Sequence, residues 1–163
     1  METIDAIYFY GSKDKYDFMS NFYKTKFNDS NNISYSCSEQ YFMYKKCLLF
    51  DSTNQLLIDK ILKENNPVKI KQYGRKVGNF DENIWNEKRY NIMVEGLKLK
   101  FSYNQDIKNK LIQTGNKTLY EASKRDKIWG IGFNSTEAIF IDKNKYGSNL
   151  LGKALMQVRQ EFI

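Results

Sequence analysis

The sequence predicts a helix-rich α+β fold in one compact domain, residues 1–163, with a small antiparallel sheet. Short strand-like segments lie near the N-terminus, apolar residues at helical spacing fill the middle of the chain, and no linker or repeat interrupts it. The composition is 41% hydrophobic and 15% aromatic, which supplies a core and argues against disorder. A length of 163 residues fits a single domain.

Short segments with β-branched or aromatic residues are predicted to be strands. They cover residues 4–10, 24–27, 33–35, 118–122 and 138–141. The second and third flank a polar turn at residues 28–32, so we expect them to form a hairpin and the sheet to open the fold.

Six segments are predicted to be helices. They cover residues 37–50, residues 54–64, a third beginning at Pro67, residues 81–101, residues 103–114, and a last one capped by Ser148 or Asn149. The second presents Leu56, Leu57, Ile61 and Leu62 at helical spacing. Pro67 suits the first position of its helix because that position needs no backbone N–H, and Gly115 suits the end of the fifth helix.

The chain contains no histidine, which excludes several classes of chemistry at once. Ser-His-Asp and Cys-His catalysis, histidine general bases and histidine-ligated metals are all ruled out. Cys37 and Cys47 fall in one predicted helix, about 15 Å apart, which is too far for a disulfide. We therefore expect no metal and no cofactor. With reduced thiols and no signal peptide or membrane span in the sequence, we also expect a cytoplasmic protein.

A net charge of +7 favours an anionic partner such as a nucleotide, a sugar phosphate or nucleic acid. The same surplus also arises in Asn/Lys-rich genomes, so it has two explanations. The basic residues around Gly74 pose the same alternative, because they can meet phosphate or simply form a solvated face. They are Lys69, Lys71, Arg75 and Lys76.

Two charged side chains on the first predicted helix are candidates for catalysis. The spacing from Ser36 to Glu39 is that of a capping box, yet a buried carboxylate is also a proton donor in glycosidic cleavage. Lys46 follows Glu39 by seven residues, so both side chains can lie on one helix face. Lys46 is then either an ordinary exposed lysine or an amine able to form a Schiff base.

The two tryptophans, Trp85 and Trp129, either fill the core or stack on a base. Arg89 lies on the apolar stripe of the fourth predicted helix, one turn after Trp85. An unpaired charge there is costly, so we expect Arg89 to meet an acidic partner or a ligand phosphate.

A set of short motifs, in order and spacing, resembles the YbiA-like family, also called NADAR, from about Tyr8 to Phe162. The motifs are Ser20–Phe22, Ser38–Phe42 with Lys46, Gly74-Arg75, Trp85 with Arg89, Thr114-Gly115, Leu119 with Glu121-Ala122, Asp126 with Trp129–Gly132, Gly147, Asn149, Leu151-Gly152, Leu155-Met156 and Arg159.

The resemblance implies hydrolysis of an N-glycosidic bond between a ribose and an amine or base. It implies two substrate classes, phosphoribosylamino-pyrimidine intermediates of riboflavin synthesis and ADP-ribose on guanine in nucleic acid or nucleotides. Glu39 is then the catalytic carboxylate, and Lys46 offers a Schiff base with the opened ribose. The residues expected to line the site are Asn21, Phe22, Arg75, Trp85, Arg89, Asp126, Trp129 and Asn149. Many family members have histidine where this chain has Gln40, which cannot titrate.

Two other functions fit the same sequence. A single-stranded nucleic acid-binding module would use the positive charge and the interleaved Tyr and Phe residues, without turnover. A non-catalytic scaffold that recognises ADP-ribose would tolerate Glu39→Gln without losing affinity. The sequence reveals no oligomeric state.

Overall fold

The computed structural model describes all of residues 1–163, and helices carry most of its regular structure. The helices are α1 (Ser38–Phe50), α2 (Gln55–Lys63), α3 (Pro67–Gly74), α4 (Glu82–Tyr103), α5 (Gln105–Gln113), α6 (Ser135–Ala138) and α7 (Leu150–Glu161). The strands are β1 (Ala6–Phe9), β2 (Phe27–Asn28), β3 (Ser34–Tyr35) and β4 (Thr118–Glu121). The helix-rich α+β class is confirmed. None of the helices combines the length and the apolar character needed to cross a membrane.

The chain forms two compact units. The central unit comprises Lys24–Asn104, and the terminal unit comprises Met1–Tyr23 together with Gln105–Ile163. The expectation of one domain over residues 1–163 stays a prediction.

In the central unit, α1 packs against α2, α3 and α4. The predicted hairpin is confirmed, since β2 and β3 pair antiparallel with Phe27 opposite Tyr35. The Asp29 carboxylate closes the turn by accepting from the backbone N–H groups of Asn31 and Ile33, at 2.9 and 3.0 Å. Phe27 and Tyr35 form a buried aromatic cluster with Tyr41 of α1. The hairpin therefore anchors the first turns of α1.

Local capping sets the ends of the central helices within one or two residues of the prediction. The side chains of Asn54, Asn66 and Asp81 accept from backbone N–H groups in the first turns of α2, α3 and α4, respectively. Pro67 occupies the first turn of α3, as predicted. The apolar face assigned to α2 was wrong at Leu56, which is exposed, because Leu57, Ile58 and Ile61 face the core instead.

In the terminal unit, β1 and β4 pair in parallel, with Ile7 opposite Leu119. The sequence predicted both strands but not this pairing, and the pair is separate from the hairpin. Helix α7 packs against β4. Of the two predicted N-caps, Ser148 and Asn149, the structure has Asn149 in that position, but its side chain makes no capping hydrogen bond.

The predicted strand at residues 138–141 was wrong. Asn134 and Glu137 form a complete capping box that starts the short helix α6. This reciprocal pair of hydrogen bonds favours a helical turn over an extended chain. The apolar run after it does not pair with a strand, and Phe140 is 84% exposed.

Candidate active site

The start of α1 differs from the predicted capping box. The N-cap is Cys37 rather than Ser36, and it makes no capping hydrogen bond with its side chain. The Ser36 backbone N–H and hydroxyl both donate to the Gln40 side-chain oxygen, at 2.7 and 3.1 Å. The predicted partner of Ser36, Glu39, was wrong, because the side-chain amide of Gln40, one residue further on, reaches back to Ser36.

Gln40 is a buried clamp between the start of α1 and the end of α2. Its side-chain nitrogen donates to the backbone carbonyls of Ile61, Leu62 and Glu64, at 2.8, 3.2 and 2.8 Å. These carbonyls lie at a helix C-terminus, where no further backbone N–H of the helix is available. Both ends of the Gln40 amide are therefore occupied by the protein. This gives residue 40 a structural role that needs no titration.

Glu39 is held in the first turn of α1 and is 5% exposed. Lys46, two turns later, is half-buried. Burial lowers the pKa of Lys46, the Glu39 carboxylate raises it, and the Arg75 guanidinium lowers it. Glu39, Lys46 and Arg75 therefore belong to one electrostatic neighbourhood, as the seven-residue spacing predicts for the first two.

The Lys46 ammonium group is fixed by a carbonyl and by two rings. Its Nζ donates to the Gly74 carbonyl at 2.9 Å. It also lies 4.6 Å from the ring centroid of Phe80 and 5.6 Å from that of Trp85. Two cation–π contacts and one carbonyl replace only part of the water that surrounds an exposed ammonium group. Lys46 therefore loses its proton to form the neutral amine more readily than an exposed lysine does.

Gly74 allows α3 to approach α1 closely enough for this contact. A Cβ atom at Gly74 would lie 1.8 Å from the sulfur of Met43, so any side chain there would have to displace Met43. The following loop is tied to the end of α1 by Asp51, whose Oδ2 accepts from the Gly78 N–H at 3.0 Å. This loop carries Phe80 over Lys46.

Phe80 is a candidate site residue that the sequence analysis missed. It is 47% exposed, and its ring packs edge-on against Phe50, with centroids 5.3 Å apart. A sequence signal was present, because an apolar residue directly before an N-cap such as Asp81 commonly pairs with the residue five positions on, here Trp85. That staple pattern predicts that Phe80 and Trp85 lie on one side of the helix start.

The remaining predicted residues of the central unit have distinct environments. Trp85 is buried against Phe42, with ring centroids 4.9 Å apart, which favours the core-filling alternative, and the Lys46 Nζ lies over its ring. Arg75 is exposed at the end of α3. The Arg89 Nε is buried without a hydrogen-bond partner, so the acidic partner is not found at this atom. The ligand phosphate stays a prediction.

Comparison with known proteins identifies the family. The model of the NADAR domain family matches residues 8–163. The chain belongs to this family. An N-glycosidase of Acanthamoeba polyphaga mimivirus, R617, is 40% identical to this NADAR chain over 99% of the chain and 98% of the relative. The protein irg-1 of Caenorhabditis elegans is 40% identical over 88% of the chain and 68% of that protein.

The NADAR domain also occurs in longer proteins. A riboflavin biosynthesis protein of Vibrio vulnificus is 28% identical, and the match covers 95% of the chain but 38% of that protein. The solved structure of Escherichia coli YbiA has the same fold, with a TM-score of 0.77 over 99% of the chain and 87% of YbiA, at 23% identity.

In the terminal unit, the predicted NADAR site residues are held by backbone hydrogen bonds. The Asp126 Oδ1 accepts from the N–H groups of Ile128 and Trp129, both at 2.8 Å, and so shapes the loop that presents the half-buried Trp129. The Asn149 amide accepts from the Glu121 N–H at 3.0 Å and donates to the Leu119 carbonyl at 2.8 Å, so it completes the edge of β4.

Asn21 and Phe22 are half-buried and follow a turn in which the Ser20 hydroxyl accepts from the Phe22 N–H at 3.1 Å. Contact of Asn21, Phe22, Asp126, Trp129 and Asn149 with substrate stays a prediction. Both polar atoms of the Asn149 side-chain amide also have a structural role, because they hydrogen-bond to the backbone of β4.

Proposed function

We propose that this chain is an N-glycosidase that hydrolyses the bond between C1′ of a ribose and the nitrogen of an amine or base. The observation that supports it is the pairing on α1 of a buried carboxylate, Glu39, with a half-buried lysine whose pKa is lowered by burial. Such a pair offers a proton donor and a nucleophile without histidine. NADAR membership and the N-glycosidase activity named for the mimivirus relative point to the same reaction.

The substrate belongs to one of two classes, ADP-ribose on guanine or a phosphoribosylamino-pyrimidine intermediate of riboflavin synthesis. Both carry phosphate beside a ribose, in agreement with a net charge of +7. Arg75 is exposed and its charge acts on Lys46, so it is placed to meet that phosphate. The name of the Vibrio relative favours the riboflavin class for that protein.

In the first route, water attacks C1′ directly. Glu39 donates a proton to the departing nitrogen as the C1′–N bond breaks, and water adds to the oxocarbenium-like C1′. The proton lost by water restores Glu39. Lys46 then serves as a fixed positive charge that orients the substrate phosphate or hydroxyl groups.

In the second route, the C1′–O4′ bond of the ribose breaks as the substrate nitrogen forms an imine with C1′ and its N–H proton passes to O4′. The neutral Lys46 amine then adds to C1′ of this imine. The amine or base leaves with a proton from Glu39, which creates an imine between C1′ and Nζ. Water hydrolyses the imine, releases the sugar as its aldehyde and restores the free amine. The lowered pKa of Lys46 supports this route because only the neutral amine attacks.

The test of the function is release of free sugar from each of the two substrates by the intact protein, with borohydride added in parallel reactions. We expect turnover of at least one substrate. If the second route operates, mass spectrometry will find a substrate-dependent reduced adduct on Lys46, absent from Lys46→Arg. Turnover without an adduct would assign the first route. No turnover of either substrate would contradict the proposed function.

The charges around Lys46 predict how its pKa responds to substitution. Arg75→Gln removes a positive charge and should raise the pKa of Lys46, whereas Glu39→Gln removes a negative charge and should lower it. NMR titration of ¹³C-dimethylated lysines, with the Lys46 signal assigned by its loss in Lys46→Arg, measures both shifts. As a control, Lys88→Gln on the exposed face of α4 should leave that signal unchanged. Shifts of the opposite sign would refute the shared neighbourhood.

A further inference from the structure

A basic groove lies beside the start of α1, in the central unit. Its volume is about 560 Å³, and it is lined by three lysines, Lys24, Lys26 and Lys63, and by hydroxyl and amide side chains. No carboxylate belongs to its lining. A second groove along α2 differs, because Lys60 and Lys63 are balanced there by Asp59 and Glu64. The lining of the first groove therefore carries more uncompensated positive charge than that of the second.

The lysines of this groove are available to a ligand. All three are exposed, and neither Lys24 nor Lys26 forms an ion pair within the chain. Lys63 lies 3.4 Å from Asp59 Oδ2, but its side chain is 80% exposed, and such surface pairs are weak. The nearby Asp29 is engaged by the Tyr35 hydroxyl at 2.8 Å.

The floor of the groove offers little that would select a small molecule. The Gln40 amide is fully engaged with Ser36 and the end of α2. The Ser36 carbonyl accepts from the Thr25 N–H at 2.9 Å, and the Lys26 carbonyl from the Asn104 side chain at 3.1 Å. The charges of the three lysines are spread over separate segments of the chain. Spread charge suits repeated phosphates rather than one shaped ligand.

We propose that this groove binds the phosphate backbone of a single-stranded nucleic acid, independently of base sequence. The aromatic residue in its lining, Tyr35, is fully buried, so the contacts are to phosphate rather than to stacked bases. Gln40 in the groove directly follows Glu39, and successive side chains leave a helix about 100° apart. This inference rests on the proposed function: the groove guides a nucleic acid strand that carries the N-riboside past the start of α1.

The test measures binding without requiring turnover. The anisotropy of a fluorescein-labelled oligothymidylate is followed over a range of salt concentrations with intact protein and with the triple variant Lys24→Gln, Lys26→Gln, Lys63→Gln. The matched control neutralises three exposed lysines outside the groove, Lys88, Lys145 and Lys153, and so carries the same net charge. Thermal melting verifies that both variants fold.

We expect the groove variant to bind at least ten-fold more weakly, and the slope of log affinity against log salt to fall by about 2, as three lost phosphate contacts predict. The control should stay within about two-fold. Equally weakened oligonucleotide binding in both variants would mean that net charge, and not the groove, sets the affinity, and would overturn the proposal. Failure of the intact protein to bind, or competition by inorganic tripolyphosphate as strong as by the oligonucleotide, would overturn the proposal. Binding with no turnover would contradict the proposed function alone.

Discussion

Glu39→Gln is expected to lower kcat about 10²- to 10⁴-fold, the range that a positioned general acid contributes. Glutamine has the same size and can still accept a hydrogen bond, but it cannot deliver a proton to the departing nitrogen. Since Glu39 is 5% exposed, bulk water does not readily replace it. The substrate should still bind, so KM should change far less than kcat. Steady-state initial rates with either substrate class measure both kcat and KM.

The control is Glu87→Gln on the exposed surface of α4, which should retain full activity. Comparing Glu39→Gln with the intact protein also distinguishes an enzyme from a non-catalytic scaffold. A scaffold that only recognises ADP-ribose would bind ligand equally well before and after Glu39→Gln and would show no turnover in either form. Activity of Glu39→Gln within ten-fold of the intact protein would remove Glu39 from the chemistry.

The helices of the central unit were predictable because their boundaries depend on neighbouring residues. Asn54, Asn66 and Asp81 each cap the helix that follows them, and Pro67 starts α3. The hairpin was predictable for the same reason, because Asp29 closes its turn within five residues. Glu39 and Lys46 share a helix, so their spacing also predicted that the two side chains lie on one face and interact.

Features that depend on distant residues were not predictable. Ile7 pairs with Leu119 across more than a hundred residues, and no local pattern specifies that partner. The Asn149 amide looked like a helix cap, but the edge of β4 uses it. The local staple pattern places Phe80 beside the start of α4, but its contact with Lys46 depends on the packing of the loop against α1. In each case tertiary packing, rather than local propensity, assigns the role.

Gln40→Leu is expected to destabilise the protein by about 3 kcal/mol, because it leaves several buried polar groups without their partner. Leucine has a similar volume, so little of the loss comes from packing. The Ser36 N–H loses its acceptor, and the carbonyls of Ile61 and Glu64 lose their donor. For a chain of this length, such a loss lowers Tm by roughly 6–12 °C. Gln72→Leu on the exposed surface of α3 should change stability by less than about 0.5 kcal/mol.

Further variants at residue 40 separate hydrogen bonding from acid–base chemistry. Histidine keeps one donor and one acceptor in its neutral form, so Gln40→His should lose less stability than Gln40→Leu. Glutamate accepts from Ser36 but cannot donate to the α2 carbonyls, so Gln40→Glu should be at least as unstable as the leucine variant. Below their melting temperatures, the folded glutamine and histidine forms should have similar kcat. A large gain in kcat with histidine would mean that an imidazole at this position takes part in proton transfer rather than only linking the start of α1 to the end of α2.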